Sequence, residues 1–230
     1  MGLRHARGRY VLLTEDDIVL PRECLDTFVA YLQAHPATGI ATGMVVEQSS
    51  GEILYASGEV VLDGVFRMNV LGRGERERGQ YAEPMEARYA PGCAVFASRA
   101  LMDRLGGFRD DFFLYYEDAE LCLRVLAAGL GITCLPRVRI MHHASAPTAD
   151  AGWVDFHKIK NLRALYLLHA PARVLPEFLL RYGVVEPARA LVGDQARFLL
   201  LARAWWWIIL RLPKLLADRR RVRAPPRVGP

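Results

Sequence analysis

No C-x-x-C pair joins the four cysteines of this 230-residue chain (Cys24, Cys93, Cys122 and Cys134), and no Cys/His set has zinc-ligand spacing. Their neighbours are apolar, so the sequence predicts reduced, buried thiols in a cytosolic protein, not a disulfide scaffold. No run of 18 or more uncharged apolar residues occurs, which argues against a conventional spanning helix. The start, Met1-Gly2-Leu3-Arg4-His5-Ala6-Arg7, has no apolar core segment, so a signal peptide is not expected. Disorder is not expected either. Hydrophobic residues make up 52% and charged residues 24%, enough apolar material for a real core. The length suits one α/β domain with an appendage, or two small units.

Net basic charge is lacking outside the tail. The net charge is +5, but nine Lys/Arg and a single acid, Asp218, fall between Arg197 and the end. The remainder holds 21 basic and 24 acidic residues, a net of −3. Nucleic acid is therefore not expected as a partner.

Short strands alternate with amphipathic helices. Residues 1–8 read as the last turns of a helix, and Tyr10–Leu13 as a strand. Pro21 to Ala34 reads as a helix with a Leu25, Phe28, Val29, Leu32 stripe. Ile40–Val46 is a second strand, Glu52–Val70 a hairpin or meander, and Gly72–Glu86 a mobile loop. Tyr89–Ala97 reads as a buried strand, Ser98–Leu105 as a helix stopped by Gly106-Gly107, and Ala119–Ala128 as another helix. Ile132–Leu135 and Val138–Met141 are two short strands. From Phe156 the pattern is helical, with breaks at Pro171, Pro176, Pro187 and Pro213.

Three groups of residues carry chemistry. Glu15-Asp16-Asp17 closes the first strand, where hard cations such as Mg²⁺ or Mn²⁺ find oxygen ligands. The same acids also suit a cap for the next helix. Glu117-Asp118 follows an aromatic approach, Phe112-Phe113-Leu114-Tyr115-Tyr116. It reads either as helix capping or as a general base beside a sugar-binding surface. His142-His143 leaves a strand into a polar loop containing Ser145, which suits a structural histidine or a third metal ligand.

In order, Y-V-L-L-T-E-D-D, P-G-C-A-V-F, G-G-F-R-D-D-F-F-L-Y-Y-E-D-A-E-L-C-L-R and M-H-H-A-S resemble the family 2 inverting glycosyltransferases of GT-A fold. The bacterial rhamnosyltransferase-like branch is the most similar, over residues 1–170. The resemblance implies an α/β, Rossmann-like nucleotide-diphospho-sugar transferase sheet with flanking helices. Residues 1–165 would form the metal and acceptor side of a partial catalytic domain, and 166–230 a helical basic tail. It implies that the D-x-D motif falls on Glu15, Asp16 and Asp17, with Asp17 the firmest ligand of Mg²⁺ or Mn²⁺ and His142 completing the shell. Glu15 departs from the family's Asp. Asp118 would be the general base, with Glu117 beside it, and Gly92, Cys93 and Tyr116 would lie on the acceptor side. The implied partners are a nucleotide-diphospho-sugar donor and a saccharide or lipid-linked acceptor, in envelope polysaccharide or glycolipid synthesis. Against this pattern the chain starts late, so the nucleotide-binding half is expected to be missing, and the chain alone to bind donor weakly. A catalytically incomplete remnant and a metal-dependent phosphohydrolase are the alternatives.

The tail holds Trp205-Trp206-Trp207 between Arg203 and Arg211, then Asp218-Arg219-Arg220-Arg221-Val222-Arg223. Adjacent tryptophans with cations suit a membrane interface, and arginines suit anionic headgroups. The expected location is cytoplasmic, peripheral at the inner face of the cell membrane. A helix packed on the catalytic domain, ending in a solvated basic tip, is the other reading.

Overall fold

The largely apolar run Ile40-Ala41-Thr42-Gly43-Met44-Val45-Val46 is buried on both faces. It cannot lie at a solvated edge, and it forms the middle of the sheet. The computed structural model describes residues 2–143 and 150–223. Among these, the chain divides into two compact units. One gathers residues 2–60, 68–108 and 118–143, and the other 61–67, 109–117 and 150–223.

In the first unit the strands are β1 (Tyr10–Thr14), β2 (Ile18–Val19), β3 (Thr38–Glu47), β4 (Ile53–Tyr55), β5 (Ser57–Leu62), β6 (Phe66–Leu71), β7 (Met85–Ala87), β8 (Ala94–Ser98) and β9 (Gly131–His142). The tip of the β5–β6 hairpin belongs to the second unit. The main sheet runs β1-β8-β3-β9-β2, with β4 added to β3 and β7 to β9. β3 and β9 are parallel, while β8 is antiparallel to both β1 and β3. The carboxyl ends of β1, β3 and β9 therefore share one edge of the sheet.

Helix α1 (Cys24–Ala34) covers the sheet with Cys24, Phe28 and Leu32, and Phe28 stacks on Phe96 of β8 at 5.2 Å. Leu25, expected in the buried stripe, is exposed. Helix α2 (Arg99–Leu105) starts where the Ser98 hydroxyl accepts from Leu101 N–H, and stops at Gly106 with φ 83°. Helix α3 (Glu117–Ala127) buries Leu121, Cys122 and Val125. On this face Arg124 donates to Glu120 Oε2 at 2.7 Å and to the carbonyls of Leu105 (2.6 Å) and Gly107 (2.7 Å). One guanidinium thus joins α3 to the end of α2.

Several expectations are corrected. Residues 1–8 hold only a 3₁₀ turn, Gly2–Arg4, with Met1 outside the described residues. Residues 89–93 precede the strand rather than join it. Ile132–Leu135 and Val138–Met141 are one strand, β9, whose register against β3 shifts between Gly43 and Met44. Pro136 lacks a ladder donor and sits in that shift. A Cβ on Gly43 would lie 2.4 Å from the Val138 carbonyl, so only glycine admits the close crossing. The 72–86 segment, expected as a loop, is tied to the sheet at several points and ends in a strand. Gly74 N–H donates to Ile53 C=O, Glu77 pairs with Arg139, and Met85–Ala87 joins the sheet.

The second unit is helical: α4 (Ala151–His169), α5 (Leu175–Phe178), a π-helical stretch Leu179–Val185, α6 (Glu186–Gly193) and α7 (Gln195–Arg223). Asp150 caps α4 by accepting from Trp153 N–H. Tyr166 stacks on Phe178 at 4.5 Å, and buried Arg163 pairs with Glu186 at 2.7 Å. Pro171 follows α4, and Pro176 and Pro187 open α5 and α6. Pro213 does not break α7. It sits inside the helix at an exposed position, where water can reach the carbonyl it leaves unpaired.

Replacing Arg124 by Ala removes the guanidinium from a fully buried Glu120 and from two helix-end carbonyls. The expected loss is about 3–5 kcal/mol in urea denaturation. A loss below about 1 kcal/mol would show that the pair is not a structural tie.

Candidate functional site

The acidic turn begins where β1 ends, at one end of the strand order, and leads into β2 at the other. Glu15, Asp16 and Asp17 therefore cross the shared carboxyl edge. Pairing of β2 with β9 sets Ile18 opposite His142, and His143 N–H donates to Asp17 C=O at 2.9 Å. His142 Nε2 then stands 3.6 Å from Asp17 Oδ2 and 3.8 Å from Glu15 Oε2. One ligand atom from each of these three residues lies within 4.8 Å of the others.

These gaps are too wide for hydrogen bonds, yet one small cation with ligand distances of about 2.1 Å can touch donors this far apart. Asp17 Oδ1 and His142 Nδ1 are buried and lack hydrogen-bond partners among the described residues. Burial, and then the Asp17 charge, push the Glu15 carboxyl above its ordinary value, with His142 pulling the other way and the Asp118 charge adding to the rise. Crowded acids short of positive charge are what a divalent ion relieves, so the residues fit such a group. Asp16 is exposed and gives no atom to the set, and neither does His143. Ser145 lies outside the described residues.

Asp118, in the first turn of α3, has the opposite surroundings. Its Oδ2 accepts from Tyr89 Oη at 2.6 Å and from Gly92 N–H at 3.0 Å, and Oδ1 accepts from Ala119 N–H at 2.6 Å. Burial raises its pKa, while those three donors hold the rise back. Tyr89 stays protonated, because burial and then the charge of Asp118 push its phenol well up. Gly92 thus serves through its backbone N–H. Cys93 is buried, and its thiol is pushed up to about 12 by burial and then by the charges of Glu15 and Asp118. A thiol so poised is no nucleophile.

Glu117 and Tyr116 belong to the aromatic segment of the second unit. Phe113, Tyr115 and Tyr116 have φ of 52°, 64° and 66°, left-handed backbone that side chains disfavour. Asn161, fully buried on α4, donates through Nδ2 to the carbonyls of Phe112 (2.6 Å), Leu114 (2.8 Å) and Tyr115 (2.7 Å). Lys160 Nζ adds a bond to Asp111 C=O at 2.7 Å, and burial pulls that amine down to about 8. Tyr116 packs edge-on against Phe66 at 5.1 Å. Sequence reasoning missed Tyr89 and Asn161. Asn161 sits in a polar stretch, His157-Lys158-Ile159-Lys160-Asn161-Leu162-Arg163, which gives no sign of its burial. For Tyr89 the chain offers none short of the fold.

The family described as glycosyltransferase-like family 2 matches residues 1–156. The uncharacterized protein y4gI of Sinorhizobium fredii is 29% identical over 151 residues, covering 63% of this chain and 16% of that protein. The O-antigen biosynthesis protein RfbC of Myxococcus xanthus is 40% identical over 60 residues, covering 26% of this chain and 5% of RfbC. The chain therefore spans a small part of the length of these relatives. Among solved structures, GalNAc-T7 with UDP, GalNAc and Mn²⁺ aligns with a TM-score of 0.52 and 15% identity, over 73% of this chain and 33% of its own. That likeness shows the fold, a GT-A type of sheet with flanking helices. With the greater part of its length matched, the chain belongs to glycosyltransferase-like family 2.

Proposed function

We propose that this chain carries the metal and acceptor side of an inverting glycosyltransferase, which moves a sugar from a nucleotide-diphospho-sugar to an acceptor hydroxyl. One observation supports it most. The open Glu15–Asp17–His142 cluster and the enclosed Asp118 carboxylate, held by Tyr89 and Gly92 N–H, lie in one unit. One arrangement is short of positive charge, and the other is a carboxylate held by three donors.

Asp17, His142 and Glu15 would hold Mg²⁺ or Mn²⁺, which supplies countercharge for a diphosphate leaving group. Asp118 accepts the proton of the acceptor hydroxyl as that oxygen attacks the anomeric carbon from the face opposite the diphosphate. The new C–O bond forms as the bond to the diphosphate breaks, so one displacement inverts the centre through an oxocarbenium-like transition state. Tyr89 and Gly92 N–H aim the carboxylate and keep it ionised. The named role of RfbC supports O-antigen-like envelope polysaccharide or glycolipid as the product class, in a rhamnosyltransferase-like branch. A lipid-linked saccharide is then the acceptor.

Calorimetric titration with Mn²⁺ alone tests the metal site. Asp17→Ala and His142→Ala are expected to weaken binding by at least about 10–100-fold, and Asp16→Ala to leave it unchanged. Equal affinity in the Asp17 variant would place the ion elsewhere.

Acceptor-dependent release of nucleoside diphosphate from UDP- and GDP-sugars tests the base. Asp118→Asn is expected to lower it about 10²–10⁴-fold without altering Mn²⁺ affinity. Undiminished release would remove Asp118 from the reaction, and release without acceptor would point to hydrolysis.

The Asp118 pKa is raised, so the carboxylate that accepts the proton is lost as pH falls through a value above the ordinary aspartate range. The acid limb of activity should sit correspondingly high. Tyr89→Phe removes a donor to the ionised form, and should move that limb further upward. Carboxyl-carbon NMR titration of Asp118 reads the same shift directly, and an unmoved titration would refute the Tyr89 role.

A further inference from the structure

Burial along α7 falls on one stripe, made by Leu201, Ala204, Ile208 and Leu215. At about 100° per residue, Leu199, Trp206 and Leu210 point the opposite way. They are 62%, 62% and 60% exposed. An amphipathic surface helix carries polar side chains there, and this one carries leucine and tryptophan. Ile209 and Leu216 extend the patch. Beside it runs an apolar groove of about 560 Å³ lined by Leu179, Val184, Phe198 and Ile209.

The charges along this helix have one sign on the outside. Arg203, Arg220 and Arg221 are exposed. The single acid between Gln195 and Arg223, Asp218, is mostly covered and accepts from Arg109 at 3.0 Å. Two expectations for this tail change. Of the three tryptophans only Trp206 faces out. Trp205 donates to Tyr182 C=O, and Trp207 lies under Lys160 and Arg211. Arg219 also turns inward, donating to the carbonyls of Leu167 and Ala170.

We propose that the outward face of α7 docks on an anionic phospholipid surface, with the helix lying in the plane of the interface. Leu199, Trp206 and Leu210 enter the boundary between headgroups and acyl chains, and Arg203, Arg220 and Arg221 meet lipid phosphates. Crossing the bilayer is not the arrangement, since no described helix is long and apolar enough. A second copy is a poorer occupant, because a paired α7 would bring like-charged arginines together around the same patch. The inference stands apart from the transfer chemistry and is tested without donor or acceptor.

The full chain is co-sedimented with mixed phosphatidylcholine–phosphatidylglycerol vesicles, and with pure phosphatidylcholine vesicles. Binding to the anionic vesicles, weakened by salt, is expected. The double variant Trp206→Ser/Leu210→Ser is expected to lower the bound-to-free ratio about tenfold or more, and Arg203→Glu/Arg220→Glu to abolish the preference for anionic lipid. All four positions are exposed, and circular dichroism checks that the variants fold. Equal binding to both vesicle types, no binding to either, or full binding by the double variants would overturn the proposal. So would a dimer, seen by sedimentation velocity, that the Trp206→Ser/Leu210→Ser change dissolves while vesicle binding persists.

Discussion

The parallel pairing of β3 with β9 is the constraint on which the site rests. The two strands run from Thr38 beside Gly131 to Glu47 beside His142, and the second delivers its histidine to the sheet edge. Parallel strands make long, non-local pairs and need cover on both faces. The continuous buried run of β3 meets that need. Because β9 also pairs with β2, the histidine and the acidic turn are set by the same ladder. A slip of one residue in β9 would turn His142 to the other face of the sheet.

Around that edge the protein keeps two kinds of carboxylate. Glu15 and Asp17 are crowded, and Glu15 is pushed up partly by its neighbour's charge. Asp118 is enclosed, and burial is its largest influence. Three donors on two oxygens keep the enclosed group aimed. In the cluster, Asp17 Oδ1 and His142 Nδ1 have no such partner among the described residues. Separating the two by environment, not by residue type, gives acids of one unit the different surroundings that the proposed ligand and base roles need.

Much of this was legible in the residues. Short branched runs marked β1 and β3, and the glycine pair marked the stop of α2. The acids and the histidine were visible as motifs, and the fold brings Glu15, Asp17 and His142 together. What the chain hid was long-range. Pro136 looked like a gap between strands because a register shift against Gly43 is invisible without the partner. The 72–86 segment looked loose because its ties run to Ile53 and Arg139. Tyr89 became meaningful only when α3 placed Asp118 over it. The triple tryptophan suggested a single surface, but helical rotation sends its members in different directions.

The left-handed segment before Asp118 has a consequence for which sequences can occupy it. Each such residue costs about 1–2 kcal/mol, and the two N–H groups of Asn161, shared among three carbonyls, offset part of that, so the segment depends on its clamp. Glycine or asparagine would relieve the backbone at 113, 115 or 116, but would delete an aromatic ring. An aromatic residue keeps the ring and keeps the strain. Substitution there is bounded from both sides, and the rings and the buried asparagine are expected to be gained or lost together.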